Sequence, residues 1–147
     1  MERLASLKMN INNLLILATL SAVNSGVKAR ALEIAKGQPR VSCFDSTLGE
    51  LEARIKQKNI KNLVFFASWC LSCKKHILEA DIETTLFVVA FDKVDSAVSA
   101  LNSLILPEKR KNVLCELDRT EKITKFYRVK SLPYRLSLEK NSFRLMP

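Results

Sequence analysis

Asn62-Leu63-Val64-Phe65-Phe66-Ala67-Ser68-Trp69-Cys70-Leu71-Ser72-Cys73 is the stretch on which the reading of this chain turns. Its first half is an unbroken apolar run bounded by polar residues and no longer than one strand. Without alternation, such a run reads as a strand buried on both faces. A C-x-x-C motif follows at once and opens a predicted helix over residues 70–80. Two cysteines one helical turn apart can close a reducible disulfide. At a helix start, the Cys70 sulfur would meet backbone N–H groups and the positive end of the helix dipole, with Lys74 and Lys75 adding positive potential. Such surroundings lower a thiol pKa from about 8.5 to roughly 3.5–7.5. The thiolate is the attacking species in thiol–disulfide exchange. Cys70 is therefore expected to attack, and Cys73, one turn further in, to resolve the mixed disulfide.

Working outward, strand-like and helix-like segments alternate. Residues 40–44 are a short strand candidate that contains Cys43. Thr47 with Glu50 forms a T-x-x-E capping box, followed by Leu48, Leu51 and Ile55 at helical spacing. Residues 86–91 are a second fully apolar strand, and Asp95 or Ser96 is expected to cap a helix that runs through Ile105 and stops at Pro107. Residues 112–117 read as a strand that contains Cys115, residues 119–129 as a short helix, and residues 132–138 as a strand. Residues 142–145 are expected to pair with that last strand across a turn at 139–141. This alternation implies an α/β layer fold with a mainly parallel or mixed sheet.

Residues 65–74, Phe65-Phe66-Ala67-Ser68-Trp69-Cys70-Leu71-Ser72-Cys73-Lys74, resemble the active-site segment of the thioredoxin superfamily, and most of all its secreted TlpA-like thiol–disulfide oxidoreductases. A second similar stretch runs from Asp118 to Pro133 and matches the family's "D…(helix)…Y-x-V-x-x-x-P" through Tyr127, Val129 and Pro133. The resemblance covers roughly residues 41–146. It implies a thioredoxin-like three-layer fold, with a central mixed sheet flanked by helices and without the family's final helix. It also implies a cis peptide before Pro133, a substrate groove formed with Trp69 and Leu132, and tuning of the thiols by Lys74. The implied activity is thiol–disulfide exchange on protein thiol and disulfide substrates, with a redox partner protein. A reductive direction is implied, such as keeping haem-attachment cysteines of apocytochromes reduced. The redox-active disulfide Cys70–Cys73 itself would serve in place of a cofactor. Three positions depart from the family pattern: Ser72 where Pro is frequent, Val64 where cytosolic thioredoxins bury an Asp, and Ser131 where Gly is common.

Other readings of the same residues stand beside this one. Cys70 and Cys73 could be half of a zinc site, or with His76 a copper-binding or metal-delivery module, since thiolates suit Cu(I). A thioredoxin-like binding protein with little turnover is a third possibility. No metal ligand set is assigned, because only Cys43, Cys115 and His76 remain as Cys or His partners. Cys43 and Cys115 lie in apolar stretches that suit small buried, inert hydrophobes; they could form a second disulfide in an oxidising compartment, but sequence does not fix the connectivity and each could equally be a buried free thiol. Trp69 is expected to shield Cys70 and cover the edge of the core. Phe126 is expected in the core and Tyr127 at the groove edge. Lys109-Arg110-Lys111 reads as a solvated turn.

The chain's 147 residues suit one domain, and 48% apolar residues provide material for a core. With 3 Gly and 4 Pro it is not a low-complexity chain, and its net charge of +9 is spread without a long basic run. No nucleic-acid partner is therefore expected. Arg3 and Lys8, a short apolar run over residues 14–23, and Val27-Lys28-Ala29 have the pattern of a secretory signal over residues 1–29. The apolar run is far below the roughly 20 residues of a spanning helix. Residues 30–147 are expected to be the exported thioredoxin-like domain, secreted or periplasmic, with no stable membrane span.

Overall fold

The computed structural model describes residues 37–138, and every element named below lies in the compact unit that begins at Pro39. The expected signal segment and the expected strand at 142–145 lie outside the described residues. Five strands, β1 (Cys43–Asp45), β2 (Asn62–Phe66), β3 (Thr85–Val89), β4 (Leu114–Leu117) and β5 (Tyr134–Ser137), form one sheet in the order β1-β4-β3-β2-β5. The first four are mutually parallel and β5 runs antiparallel to β2. Among the described residues, five helices flank the sheet: α1 (Leu48–Gln57), α2 (Cys73–Leu78), α3 (Val94–Leu104), α4 (Pro107–Arg110) and α5 (Lys122–Phe126). The fold is thus α/β, with a five-stranded mixed sheet flanked by helices. Among the described residues, no helix is long and apolar enough to cross a membrane.

The unbroken apolar runs become the central strands because both of their faces are covered. Val64 and Phe66 of β2 and Phe87 and Val89 of β3 meet Cys73 and Ile77 of α2 and Ala97 and Leu101 of α3. The alternate side chains Leu63, Phe65, Leu86 and Val88 meet Leu51 and Ile55 of α1 and Ile123 of α5 on the other face. At about 25 cal/mol per Å² of apolar surface, burying side chains of this size contributes about 1.5–3 kcal/mol each. The edge strand β5, with one face half exposed, alternates as a period of two requires.

Local signals set the ends of the elements. Thr47 caps α1 as its sequence predicts: its Oγ1 accepts the Glu50 N–H, while Glu50 Oε2 accepts the Thr47 N–H at 2.7 Å. Asn59 ends α1 in the left-handed region at φ 51°, and Arg128 ends α5 in the same way at φ 54°. In both cases the following N–H reaches back into the last turn, Ile60 to Ile55 O and Val129 to Thr124 O.

Several boundaries differ from those predicted. The first strand begins at Cys43, with Val41 tied instead to the Asn102 side chain of α3 by its N–H. The helix expected from Asp95 or Ser96 begins at Val94, with Lys93 at its cap and no side-chain capping bond. The helix expected over 119–129 is confined to Lys122–Phe126, because Glu121 enters it from φ 56°. The last strand begins at Tyr134, and α4 was not foreseen. Arg110 is not simply a solvated charge: its guanidinium donates to the carbonyl oxygens of Ile105 and Asn102 and closes the end of α3.

Candidate functional site

The site is built on the C-terminal end of β2. Ala67 is buried where the strand ends, and the chain then folds through two tight turns before α2. The Cys70 N–H donates to Ala67 O at 3.2 Å, and the Cys73 N–H to Cys70 O at 3.1 Å. The helix therefore begins at Cys73, with Ser72 as its cap, and not at Cys70 as predicted. At its other end it stops at Leu78 instead of continuing to 80. Asp81 there accepts from the Glu83 N–H and the Thr84 hydroxyl and draws the chain into a turn.

Cys70 and Cys73 are joined by a disulfide with Cα atoms 5.3 Å apart. Cys70 is 6% exposed and Cys73 is fully buried. Cys70 is thus the more accessible residue of the pair. The Cys73 N–H also points at Cys70 Sγ, 3.2 Å away, and the Ser72 hydroxyl lies 3.6 Å from the same sulfur. Hydrogen bonds to a sulfur favour its anionic form over its neutral one. Lys74 and Lys75 are exposed on the following turn, and Lys75 reaches Glu79 at 3.8 Å. His76 is half-buried on the same short helix.

Trp69 does not cover the core edge as predicted. It is 62% exposed, and its indole N–H donates to the Phe91 carbonyl oxygen at 3.2 Å. Beside it, the Ser68 N–H donates to Asp92 Oδ2 at 2.5 Å. These two bonds tie the loop after β2 to the loop after β3. Phe91 was not singled out by the sequence, since it closes an apolar strand candidate. In the structure it leaves the sheet at φ 58°, a conformation that few bulky residues adopt, and it is 48% exposed.

The downstream stretch arrives from β4. Asp118 is buried and its carboxylate accepts the N–H groups of Ile123 and Thr124 and the Thr124 hydroxyl, which fixes α5. The chain returns through Leu132 and Pro133 to start β5, and the Leu132–Pro133 peptide is cis. Leu132 packs against both apolar clusters, including the one that holds Cys70 and Cys73. Pro133 is half-buried beside it.

Phe126 and Tyr127 depart from their predicted places. Phe126 is 37% exposed and rests edge-on against Tyr127, while Tyr127 packs on Phe65 on the α1 face of the sheet, opposite the CxxC. Burial is the main reason why the Tyr127 hydroxyl is pushed up to about 12, with the Glu52 charge adding to it.

Among the charged side chains of the described residues, Glu116 and Asp118 are the buried ones. Glu116 alternates with Cys115 and Leu117 along β4, so it points to the α1 face, away from the CxxC. There its carboxylate forms an ion pair with Arg54, whose guanidinium also lies over the Phe44 ring. The remaining cysteines, Cys43 and Cys115, are register partners in β1 and β4 and form a second disulfide. Among the described residues, no cluster of three or more His, Cys, Asp or Glu is placed to hold a metal ion.

Comparison with protein-family models, with curated proteins and with solved structures finds no match to this chain.

Proposed function

We propose that the protein is a thiol–disulfide oxidoreductase of thioredoxin-like build that acts on protein disulfides through Cys70 and Cys73. The observation that carries this reading is the pairing of unequal access with a sulfur-directed donor. Cys70 is the more accessible residue of the pair, Cys73 is sealed in the core, and the Cys73 N–H points at Cys70 Sγ. In the reduced protein, the Cys70 thiolate attacks one sulfur of a substrate disulfide. The Cys70–substrate bond forms, the substrate S–S bond breaks, and the departing thiolate takes a proton from water. The Cys73 thiolate then attacks Cys70 Sγ, releases the second substrate thiol and leaves the Cys70–Cys73 disulfide. Two electrons have passed from the protein dithiol to the substrate, and a dithiol redox partner restores the starting state.

The surrounding residues fit the same reading. Leu132, Pro133 and Trp69 would border the bound chain, and Lys74 would add positive potential on the side of the helix. The second disulfide, Cys43–Cys115, suits an oxidising, extracytoplasmic compartment, where such bonds persist. Trapping separates the two cysteine roles. Cys73→Ser should accumulate mixed disulfides through Cys70, visible as mass adducts or as gel bands removed by reductant, and Cys70→Ser should not. Insulin reduction by the wild-type protein with dithiothreitol should depend on both residues. Equal trapping by the two variants, or insulin reduction that survives their loss, overturns the proposal.

A further inference from the structure

The second disulfide takes no part in the exchange proposed above. Cys43 is half-buried in β1, and Cys115 is fully buried in β4. What else holds β1 is slight. The strand is three residues long, and among the described residues it pairs with β4 alone, whereas β2, β3 and β4 each pair on both sides. Of residues 39–45 only Val41 is buried, and its N–H donates to Asn102 Oδ1 at 3.0 Å. Phe44 is 53% exposed. Arg54 lies 5.3 Å above its ring, but that guanidinium is already engaged by Glu116. Asp45 meets Arg119 at 3.0 Å with both side chains more than half exposed, and surface pairs of this kind contribute little.

A covalent bond between residues 72 apart in sequence therefore carries much of the attachment. Such a tether keeps the strand beside its partner at a high effective concentration. Once it is cut, three residues must be ordered anew for the few bonds they make. Segments with few buried contacts open at far lower cost than the centre of a sheet. The centre keeps its own contacts, because β2 and β3 are covered by α1 and α5 on one face and by α2 and α3 on the other.

We propose that Cys43–Cys115 is a redox latch: its reduction by an external dithiol frees residues 39–45, β1 included, from β4 while the rest of the sheet stays folded. One thiolate of the dithiol attacks Cys43 Sγ, on the accessible residue of the pair. A mixed disulfide forms there, the Cys43–Cys115 bond breaks, and the departing Cys115 thiolate takes a proton from water. The second thiolate of the dithiol attacks its own partner sulfur in the mixed disulfide and releases Cys43, which is protonated in turn. Two electrons have passed into the protein, and the dithiol leaves as a disulfide. The outer edge of β4 is then covered only where thiols are oxidised, which ties the chain's resistance to proteolysis at β1 to the redox state of its surroundings.

Hydrogen exchange read by mass spectrometry tests this on the full chain in three states: with both disulfides formed, with both reduced by dithiothreitol, and as Cys43→Ala/Cys115→Ala with Cys70–Cys73 oxidised. Peptides over residues 41–46 should exchange faster by about tenfold or more in the second and third states than in the first, the change that one lost attachment gives. Peptides over β2 and β3 should keep most of their protection. The variant assigns the change to this bond, since its C-x-x-C stays closed. Chymotrypsin should cut after Phe44 in the same two states and spare it in the first. Protection of residues 41–46, or resistance at Phe44, that survives in either state overturns the proposal. So does protection lost together across β1, β2 and β3, and so does a Cys43–Cys115 bond that dithiothreitol cannot open in the folded protein. None of these outcomes bears on exchange at Cys70.

Discussion

Cys43 and Cys115 stand directly opposite each other in the parallel pairing of β1 and β4, and a disulfide joins them across a sequence separation of 72 residues. Cys115 is fully buried and Cys43 packs against the same apolar cluster as Cys73. The strand this bond secures is only three residues long. Closing so long a loop removes much of the entropy of the unfolded chain, about 4 kcal/mol on the loop-closure estimate. The double variant Cys43→Ala/Cys115→Ala should therefore lose a few kcal/mol of stability in urea unfolding yet keep its exchange activity. Unchanged stability, or lost exchange in the folded variant, would contradict a purely structural role for this pair.

The capping box of α1 makes an acid-side prediction. Hydrogen bonds from the Thr47 backbone N–H, then from its side chain, hold the Glu50 carboxyl below its usual value of 4.5. A depressed folded pKa means that the contribution is present above the unfolded pKa and is lost as pH falls through the folded one. Glu50→Gln should thus be less stable than the wild-type protein near neutrality, and the two should converge in acid. Thr47→Ala, which removes the cap itself, should cost about 1 kcal/mol at neutral pH. Denaturant midpoints measured as a function of pH test both, and a gap that widens in acid would refute the assignment.

Tyr127 makes the opposite prediction on the alkaline side. Its hydroxyl is pushed up to about 12, from 10.0 in the unfolded chain, by burial and by the Glu52 charge. Its contribution is complete below the unfolded value and is lost as pH rises through the folded one. Tyr127→Phe should leave neutral stability nearly unchanged and flatten the fall in stability above pH 10. Tyrosinate absorbance read through the alkaline range should show one late-titrating phenol that the variant lacks.

How legible was all this in the sequence? The doubly buried strands β2 and β3 were, because unbroken apolar runs such as Leu63 to Ala67 leave no polar face to expose. The α1 cap was legible for a local reason: Thr47 and Glu50 satisfy each other's backbone groups within three residues. The C-x-x-C was legible as chemistry but not as geometry. Its turns place the helix start at Cys73, and spacing alone does not separate turns closed by i→i+3 bonds from a helix. Phe91, the Arg110 cap of α3 and the Arg54–Glu116 pair were not legible. Each depends on a partner brought close by the fold or on a backbone angle that no local pattern encodes. The one available signal was Glu116 itself, a carboxylate inside the apolar run of β4, which demanded a cation from elsewhere.

That cation is Arg54. Glu116 is fully buried, and it meets the guanidinium as an ion pair with neither carboxylate oxygen in a hydrogen bond of ordinary geometry among the described residues. Taking a carboxylate out of water is costly, and a buried pair roughly breaks even against apolar residues of similar size. Removing one partner is different, because it leaves the other charge stranded. Arg54→Ala should therefore cost about 3–5 kcal/mol, while Arg54→Met/Glu116→Leu should fold with near wild-type stability. Glu116 lies across the sheet from Cys73, so the double variant should exchange disulfides at the wild-type rate. If that rate fell in a folded double variant, Glu116 would have to be coupled to the Cys73 thiol through the sheet. The proton leaving Cys73 would then have an acceptor inside the protein instead of water.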